Sequence, residues 1–201
     1  MAERKHLSGD VRREQIKKAV LEIVFSEGLK NLTTKNLAKK VGLSEGAVFR
    51  HYPTKQAIIL GIIDDVKNEL VSNLKQISEQ KNKTPQEQLE KFVCNHIKYL
   101  KKNKGISIIL FTEASYQNSA ALKERLDEIL HLQKKYFANI IRNGINSGVW
   151  DTSVSPENIA ELYMGIPITM NIELNLNPKK FKYTNFCKNM LILIQRILEK
   201  R

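Results

Sequence analysis

The sequence has few of the residues that interrupt helices or build disulfide frameworks. Its 201 residues include nine glycines, five prolines and two cysteines. This scarcity, together with abundant Leu, Ile, Lys and Glu, predicts a mostly α-helical chain. Because Cys94 and Cys187 lie far apart and form no CxxC pair, we expect them to be free thiols in the core rather than a disulfide.

Long apolar stretches are also missing. Runs such as residues 190–194 are far too short to cross a bilayer, and the first 15 residues carry charge but no apolar signal segment. We therefore expect a cytoplasmic protein with no membrane partner. Apolar residues nevertheless make up 42% of the chain and charged residues 27%, which excludes a disordered or collagen-like chain.

Motifs of enzyme chemistry are absent from the sequence. It contains no Gly-rich phosphate loop, no GxSxG, no HExxH and no Cys/His metal spacing. Its four histidines, at positions 6, 51, 96 and 131, are scattered along the chain. We expect no catalytic site, no cofactor and no metal.

Positive charge is in clear excess. Lys and Arg number 33 against 21 Asp and Glu, a net charge of +12. Residues 1–60 hold 12 basic and 6 acidic groups, a net +6, and the remaining 141 residues hold 21 and 15, also +6. The charge is therefore more than twice as dense in the first 60 residues. Such an excess favours nucleic acid or an anionic membrane surface, and the charge alone does not choose between them.

Apolar residues recur at spacings of three and four along most of the chain, which predicts an all-α fold of about nine helices. Gly28 ends the first helix. Thr33 or Thr34, Ser44 and Thr54 can cap the next three. The fourth helix is long, and five more follow, at about residues 85–100, 106–111, 119–146, 156–174 and 178–200. We divide the chain into domains 1–65 and 66–201.

The segment 33–52 carries the pattern of a helix-turn-helix, two short helices joined by a turn. Gly42 lies in the turn, and the small Ala38 lies where the helices cross. Small residues begin the second helix, so that its backbone can approach a DNA groove closely. The same geometry also occurs in proteins that bind no DNA.

Residues 16–63 resemble the tetracycline-repressor (TetR) family of transcription regulators. The resemblance is carried by the Gly28–Thr33 link, by the Leu37-Ala38 pair and by a longer run, which comprises Gly42, Leu43, Ser44, Gly46, Val48, Phe49, His51, Tyr52 and Lys55. Arg50 stands where the family commonly has an aromatic residue, and Phe49 lacks the hydroxyl of the frequent Tyr. Contacts at these two positions are therefore expected to differ from the family's usual ones.

The resemblance implies DNA-contacting roles for ten residues. Phosphate or sugar contacts fall to Thr34, Lys35, Ser44, Phe49, His51 and Lys55, and base-edge contacts to Glu45, Gly46, Ala47 and Arg50. Tyr52 is assigned to packing beneath the motif. Two of the ten DNA-contacting residues have alternative interpretations. A carboxylate such as Glu45 is stabilised at a helix N-terminus without DNA, and His51 also fits a neutral hydrogen-bond donor.

For the second domain the resemblance implies a homodimer, formed through the last two helices, and a pocket for a small molecule. The last two helices are apolar on more than one face, which fits an interface, although core helices of a monomer would look the same. The candidate ligand residues are aromatic or soft apolar groups, each also explained as core: Phe92, His96, Phe111, Tyr116, Tyr136, Trp150, Tyr163, Met164 and Met170.

The function predicted from these features is a ligand-responsive transcription regulator that binds double-stranded DNA. The resemblance implies a repressor that binds a palindromic operator as a dimer and is released by an apolar or amphipathic small molecule. Binding of that molecule would change the tilt of the fourth helix and so the spacing of the two recognition helices. The alternatives are an activator, or a helical lipid-binding or interaction protein without DNA binding.

Overall fold

The computed structural model describes residues 8–110, 119–176 and 185–200. Counting the uninterrupted helical run 55–78 as one helix, these residues hold nine α-helices: α1 (Gly9–Glu27), α2 (Thr34–Val41), α3 (Glu45–His51), α4 (residues 55–78), α5 (Pro85–Lys102), α6 (described for residues 106–110), α7 (Ala120–Asn146), α8 (Pro156–Leu176) and α9 (Phe186–Leu198). A short 3₁₀ turn, Leu29–Asn31, follows α1. The predicted all-α fold is confirmed.

The first turns of α2, α3 and α4 are fixed by hydroxyl caps. Thr33 Oγ1 accepts a hydrogen bond from the Asn36 N–H at 3.2 Å, and Ser44 Oγ accepts one from the Ala47 N–H at 3.2 Å. Thr54 Oγ1 accepts one from Ala57 N–H at 3.0 Å. Each bond satisfies an N–H that has no partner within its own helix, so these starts follow from local sequence.

The helix α4 contains a feature that the apolar spacing does not predict. Its middle portion, Val66–Val71, is π-helical and lies between the α-helical portions Lys55–Asp65 and Ser72–Ser78. A π-helical turn accommodates one extra residue and is often found at functional positions.

The described residues form two compact units. Residues 8–64 and 103–110 belong to the first, and residues 65–102, 119–176 and 185–200 to the second. The segment 103–110, which the sequence analysis places in the domain 66–201, thus packs with the first unit. Gly105 explains this, because it has φ +89° and a Cβ there would lie 2.5 Å from the Leu21 carbonyl oxygen. In addition, Lys104 Nζ lies 5.3 Å from the centre of the Phe25 ring.

The core of the first unit is built on α1. Its buried face comprises Ile16, Ala19, Val20, Ile23 and Val24, and it packs on α2 and α3. Tyr52, which follows α3, is 9% exposed, and its hydroxyl would lie 3.3 Å from a Cβ at Gly61 of α4. The assignment of Tyr52 to packing is confirmed.

The second unit is centred on α7, which packs on α5, α8 and the second half of α4, while α9 packs on α5. A capping box fixes the start of α5. In it the Glu87 carboxylate accepts the Thr84 N–H at 2.9 Å, and Thr84 Oγ1 accepts the Glu87 N–H at 3.2 Å. Together with Lys83, the Thr84 N–H lowers the pKa of the Glu87 carboxyl to about 2.

The structure contradicts the expectation that the two cysteines are free thiols. Cys94 of α5 and Cys187 of α9 form a disulfide, so the prediction of free core thiols is wrong. Their Cα atoms are 5.5 Å apart, within the usual range for a disulfide, because α5 packs against α9. Because the two cysteines are 93 positions apart in the sequence, only the tertiary packing reveals the pair.

The described parts of the chain contain no candidate membrane-spanning segment. None of their helices is both long and apolar enough to span a bilayer. The predicted cytoplasmic location stays a prediction.

Candidate nucleic-acid interface

The turn between α2 and α3 sets the direction in which α3 projects. Gly42 has φ +67°, a left-handed conformation that side chains disfavour, and its N–H bonds to the Lys39 carbonyl at 3.3 Å. The Leu43 N–H bonds to the Ala38 carbonyl at 2.9 Å. Together these two bonds form a Schellman motif, which ends α2 and leads directly to the α3 cap at Ser44.

One face of α3 is open to solvent. Glu45, Gly46 and Arg50 are exposed, Ala47 and His51 are half-buried, and only Val48, at 1% exposure, anchors the helix in the core. Phe49 is 46% exposed despite its size. Its ring is therefore accessible from solvent beside the polar and basic groups of α3.

A groove of about 280 Å³ lies beside α3. Its polar lining comes from Thr33 and Thr34 at the start of α2 and from Thr54 and Lys55 at the start of α4, and Phe49 also lines it. Apolar residues complete the wall: Val20, Leu32, Leu37, Val48, Tyr52, Ile58 and Ile59. The starts of two helices carry partial positive charge from their dipoles, and Lys55 adds a full charge, so the groove suits an anionic oxygen such as that of a phosphate.

Basic side chains surround the groove and α3. Lys35, Lys39, Arg50 and Lys55 are exposed and make no ion pair with another described residue. Lys40 differs, because it pairs with Glu22 at 3.3 Å. The cations nearest α3 therefore keep their charge available to a polyanion.

The structure brings the ten predicted DNA-contacting residues to adjacent positions in the first unit. Thr34, Phe49 and Lys55 line the groove. Lys35 lies in the first turn of α2, and the rest occupy α3 and its cap: Ser44, Glu45, Gly46, Ala47, Arg50 and His51. Sequence reasoning named Thr33 and Thr54 only as helix starts, although the hydroxyl before each helix also marks a wall of the groove.

Three of the predicted ligand residues come together in the second unit. The Phe92 ring lies edge-on to the Tyr163 ring at 5.8 Å, and the His96 Nδ1 is 2.9 Å from the Tyr163 hydroxyl. Phe137, which the sequence analysis did not name, stacks on Tyr163 with ring centres 4.1 Å apart. These residues form an aromatic cluster in the interior of the unit.

His96 is a neutral member of this cluster. Burial lowers its pKa to about 4 and raises the pKa of Tyr163 above its usual value. At neutral pH the pair is therefore an uncharged hydrogen bond. His96 can position Tyr163 or bond a neutral ligand atom, but it offers no positive charge to an anion.

The other ligand candidates are spread through the second unit. Met164, Met170 and Trp150 are buried, and Tyr136 is half-buried. Trp150 covers Gly144 of α7 so closely that a Cβ at Gly144 would overlap the indole, which gives Trp150 a packing role. The candidates Phe111 and Tyr116 lie outside the described residues.

A metal centre has no support in the parts of the chain that the structure describes, where no group of His, Cys, Asp and Glu side chains is arranged to hold an ion.

Comparison with known families identifies the chain. Residues 18–62 match the family described as bacterial regulatory proteins, tetR family, and residues 63–197 match the YsiA-like protein, C-terminal region. The chain belongs to the TetR family. It is a DNA-binding transcription regulator and not an enzyme, as the sequence predicted.

Individual relatives agree with this membership. The nucleoid occlusion factor SlmA of Aliivibrio fischeri (strain ATCC 700601 / ES114) is 30% identical over 132 residues, which cover 65% of this chain and 67% of that protein. The TetR-family regulator PfmR from Thermus thermophilus superposes with a TM-score of 0.80 at 19% identity, over 92% of this chain and 100% of PfmR. FadR from Bacillus subtilis, solved in complex with stearoyl-CoA, gives 0.72 at 19% identity, over 90% of this chain and 96% of FadR.

Gly46 offers a test of whether the TetR-type α3 is shaped for a partner. A Cβ at this position would meet no atom within 4 Å, so nothing in the chain itself requires a glycine there. Glycine in a helix costs roughly 0.5–1 kcal/mol relative to alanine. We expect Gly46→Ala to raise the free energy of unfolding while weakening DNA binding about tenfold or more, because the methyl group blocks close approach.

The measurements are urea denaturation and fluorescence anisotropy with labelled operator DNA. Gly9→Ala is the matched control, since Gly9 also lies at the start of a helix and a Cβ there would have only ordinary contacts, with the Arg13 side chain at 3.9 and 4.0 Å. Unchanged DNA affinity in Gly46→Ala would contradict close approach at this residue.

Proposed function

We propose that this TetR-family regulator is a repressor that binds a palindromic operator as a homodimer and is released by an amphipathic small molecule with a long apolar part. The groove beside α3 carries the DNA-binding part of the proposal. There the starts of α2 and α4, Phe49 and Lys55 lie next to the exposed face of the recognition helix.

In the proposed complex a backbone phosphate binds at the mouth of the groove. N–H groups at the starts of α2 and α4 and the Lys55 ammonium group bind its oxygens, and the Phe49 ring packs on the adjacent sugar. Further backbone contacts come from Lys35, Ser44 and His51. With the backbone held, α3 lies in the major groove and presents Glu45, Gly46, Ala47 and Arg50 to base edges.

Substitutions of Arg50 and Lys55 distinguish a base contact from a phosphate contact. Arg50→Ala should cost about 1–3 kcal/mol and relax the preference at one base pair, because a bidentate guanine contact is lost. Lys55→Ala should weaken all sequences equally and reduce the slope of log affinity against log salt by about one phosphate contact. Anisotropy titrations on operator and point-mutated operator, over a range of salt, distinguish the two.

Lys135→Ala is the control, because Lys135 is an equally basic, exposed residue of α7 in the second unit. If Arg50→Ala weakened every sequence equally, its base-reading role would be contradicted. If the wild-type protein bound no duplex even at low salt, the proposed function would fail altogether.

Dimerisation is supported by apolar residues that α8 and α9 leave exposed. On α8 Leu162, Ile172 and Leu176 are 57%, 52% and 72% exposed, and together with Gly165 and Thr169 they follow a spacing of three and four residues along one face. On α9 Ile192, Leu193 and Ile197 are 39%, 51% and 45% exposed. A second copy of the two helices, related by a two-fold axis, would cover both faces in a four-helix interface.

The effector class is supported by two observations. The interior of the second unit holds the apolar cluster around Phe92, Phe137 and Tyr163, and the similar fold of FadR from Bacillus subtilis was solved with stearoyl-CoA. A long-chain acyl thioester combines an apolar tail with an anionic head. The net +6 of residues 61–201, from 21 basic and 15 acidic groups, favours such a head.

The proposed coupling runs through α4, whose first residues belong to the first unit and whose later residues belong to the second. A ligand shifts such an equilibrium only by its difference in affinity for the two states. Binding to the second unit would favour one tilt of α4 and so change the spacing of the two recognition helices in the dimer.

Stearoyl-CoA provides the direct test of release. Added to the protein–operator complex, it should weaken DNA affinity by about 5- to 150-fold, the usual range of such coupling. Free coenzyme A, which lacks the acyl chain, is the matched control and should leave the affinity unchanged. An operator affinity that stearoyl-CoA does not alter would reject long-chain acyl thioesters as the effector.

A further inference from the structure

The disulfide joins the only two cysteines of the chain. Cys94 lies in the middle of α5, two residues before His96 of the aromatic cluster, and Cys187 is the second residue of α9. Both cysteines are half-buried rather than sealed in the core. The bond is therefore within reach of small reagents and lies between the interior of the second unit and a helix proposed to form the dimer.

A permanent disulfide would be unusual in a regulator of this kind. A transcription regulator acts where the DNA is, and that compartment is kept reducing by thiols of the glutathione type. Disulfides in such compartments are rare, and those that occur are usually transient, catalytic or redox-sensing. The Cα separation of 5.5 Å lets these two cysteines pair, and the reducing compartment favours a bond that opens and closes.

The bond joins α9 to α5 near the start of α9. Among the described residues of α9, only Leu191, Ile194 and Leu198 are buried, and all three lie after the first turn. The disulfide supplies a covalent attachment at the first turn itself. Opening it leaves the start of α9 held more weakly on α5, while the exposed residues Ile192, Leu193 and Ile197 lie on the same helix.

We propose that Cys94 and Cys187 form a reversible redox site, closed by a low-molecular-weight disulfide of the glutathione class, and that closing it fixes α9 for pairing with a second copy. The coupling to DNA rests on the proposed function, whereas the redox site itself does not.

The chemistry balances as two thiol–disulfide exchanges. The thiolate of one cysteine attacks a sulfur of oxidised glutathione, whose S–S bond breaks, so that a mixed disulfide forms and one glutathione thiolate leaves. The second cysteine thiolate then attacks the protein sulfur of the mixed disulfide, forming the Cys94–Cys187 bond and releasing the second glutathione. The protein dithiol loses two electrons and two protons, and one oxidised glutathione becomes two thiols.

The first experiment measures the site alone. The full-length protein is equilibrated in buffers of reduced and oxidised glutathione, quenched in acid and treated with a thiol-alkylating reagent, and the mass shift counts the free thiols. We expect a reversible change between two and zero free thiols as one transition. Cys94→Ser and Cys187→Ser should give only mixed disulfides with glutathione. Thiols that never pair while the protein stays folded would overturn the proposal.

The second experiment measures the consequence. Analytical ultracentrifugation of the oxidised and the reduced wild-type protein should show a dimer dissociation constant at least about fivefold lower when oxidised. Amide hydrogen exchange in the first turn of α9 should be slower in the oxidised than in the reduced protein. The double variant Cys94→Ser/Cys187→Ser should match the reduced protein and ignore oxidant, and circular dichroism checks that it is folded. Equal dimer dissociation constants in the two redox states would contradict the proposal that the disulfide fixes α9 for pairing.

Fluorescence anisotropy with operator DNA distinguishes failure of the redox proposal from failure of the proposed function. Tighter operator binding by the oxidised protein supports both. If dimer stability responds to oxidation but no form binds DNA, the redox site stands and the proposed function fails. If all forms bind DNA and the dimer is the same in both states, the proposed function stands and the redox proposal fails.

Discussion

Three hydroxyl groups determine where the candidate DNA-binding surface lies. Thr33, Ser44 and Thr54 each accept an N–H that its helix cannot satisfy, and so fix where α2, α3 and α4 begin. A cap satisfies one donor and leaves other N–H groups at the helix start free. Residues at the starts of α2 and α4 line one groove, so the positive ends of both helix dipoles lie beside a common space. The same contacts that hold the fold thus create the electropositive surface to which we assign a phosphate.

The sequence predicted this unit well because its signals are local. A hydroxyl before a helix, a glycine in the turn and apolar residues at helical spacing each act within a few residues of the chain. Gly42 and Ser44 show this directly, since the φ of the first and the cap of the second follow from residue type alone. The groove itself needed the structure, because residues of α1, α2, α3 and α4 that are distant in the sequence line it together.

The second unit was less predictable because its main contacts join distant residues. The Cys94–Cys187 bond joins residues that are 93 positions apart, and Phe137 enters the aromatic cluster from a helix far along the chain from Phe92. Neither has a spacing signal. The π-helical portion of α4 likewise follows no local residue pattern that we recognise. Exposure on α8 and α9 is a further property that periodicity leaves open, since an apolar face fits a core as well as an interface.

The two units point to one account of the molecule, in which a polar, positively charged surface meets DNA and an apolar surface meets a second copy. Neither works alone in this account, since one short α3 offers few base contacts and two are needed to read a symmetric site. In the proposed dimer, the apolar residues that remain exposed on α8 and α9 join the two copies.

Hydroxyl-radical footprinting of the wild-type protein on its operator tests this account most directly, because it maps the backbone positions that the protein covers. Two protected patches, related by a two-fold axis and centred about 10–10.5 base pairs or a multiple of that apart, are the predicted result. A single unsymmetric patch, or uniform cleavage along the whole fragment, would contradict it.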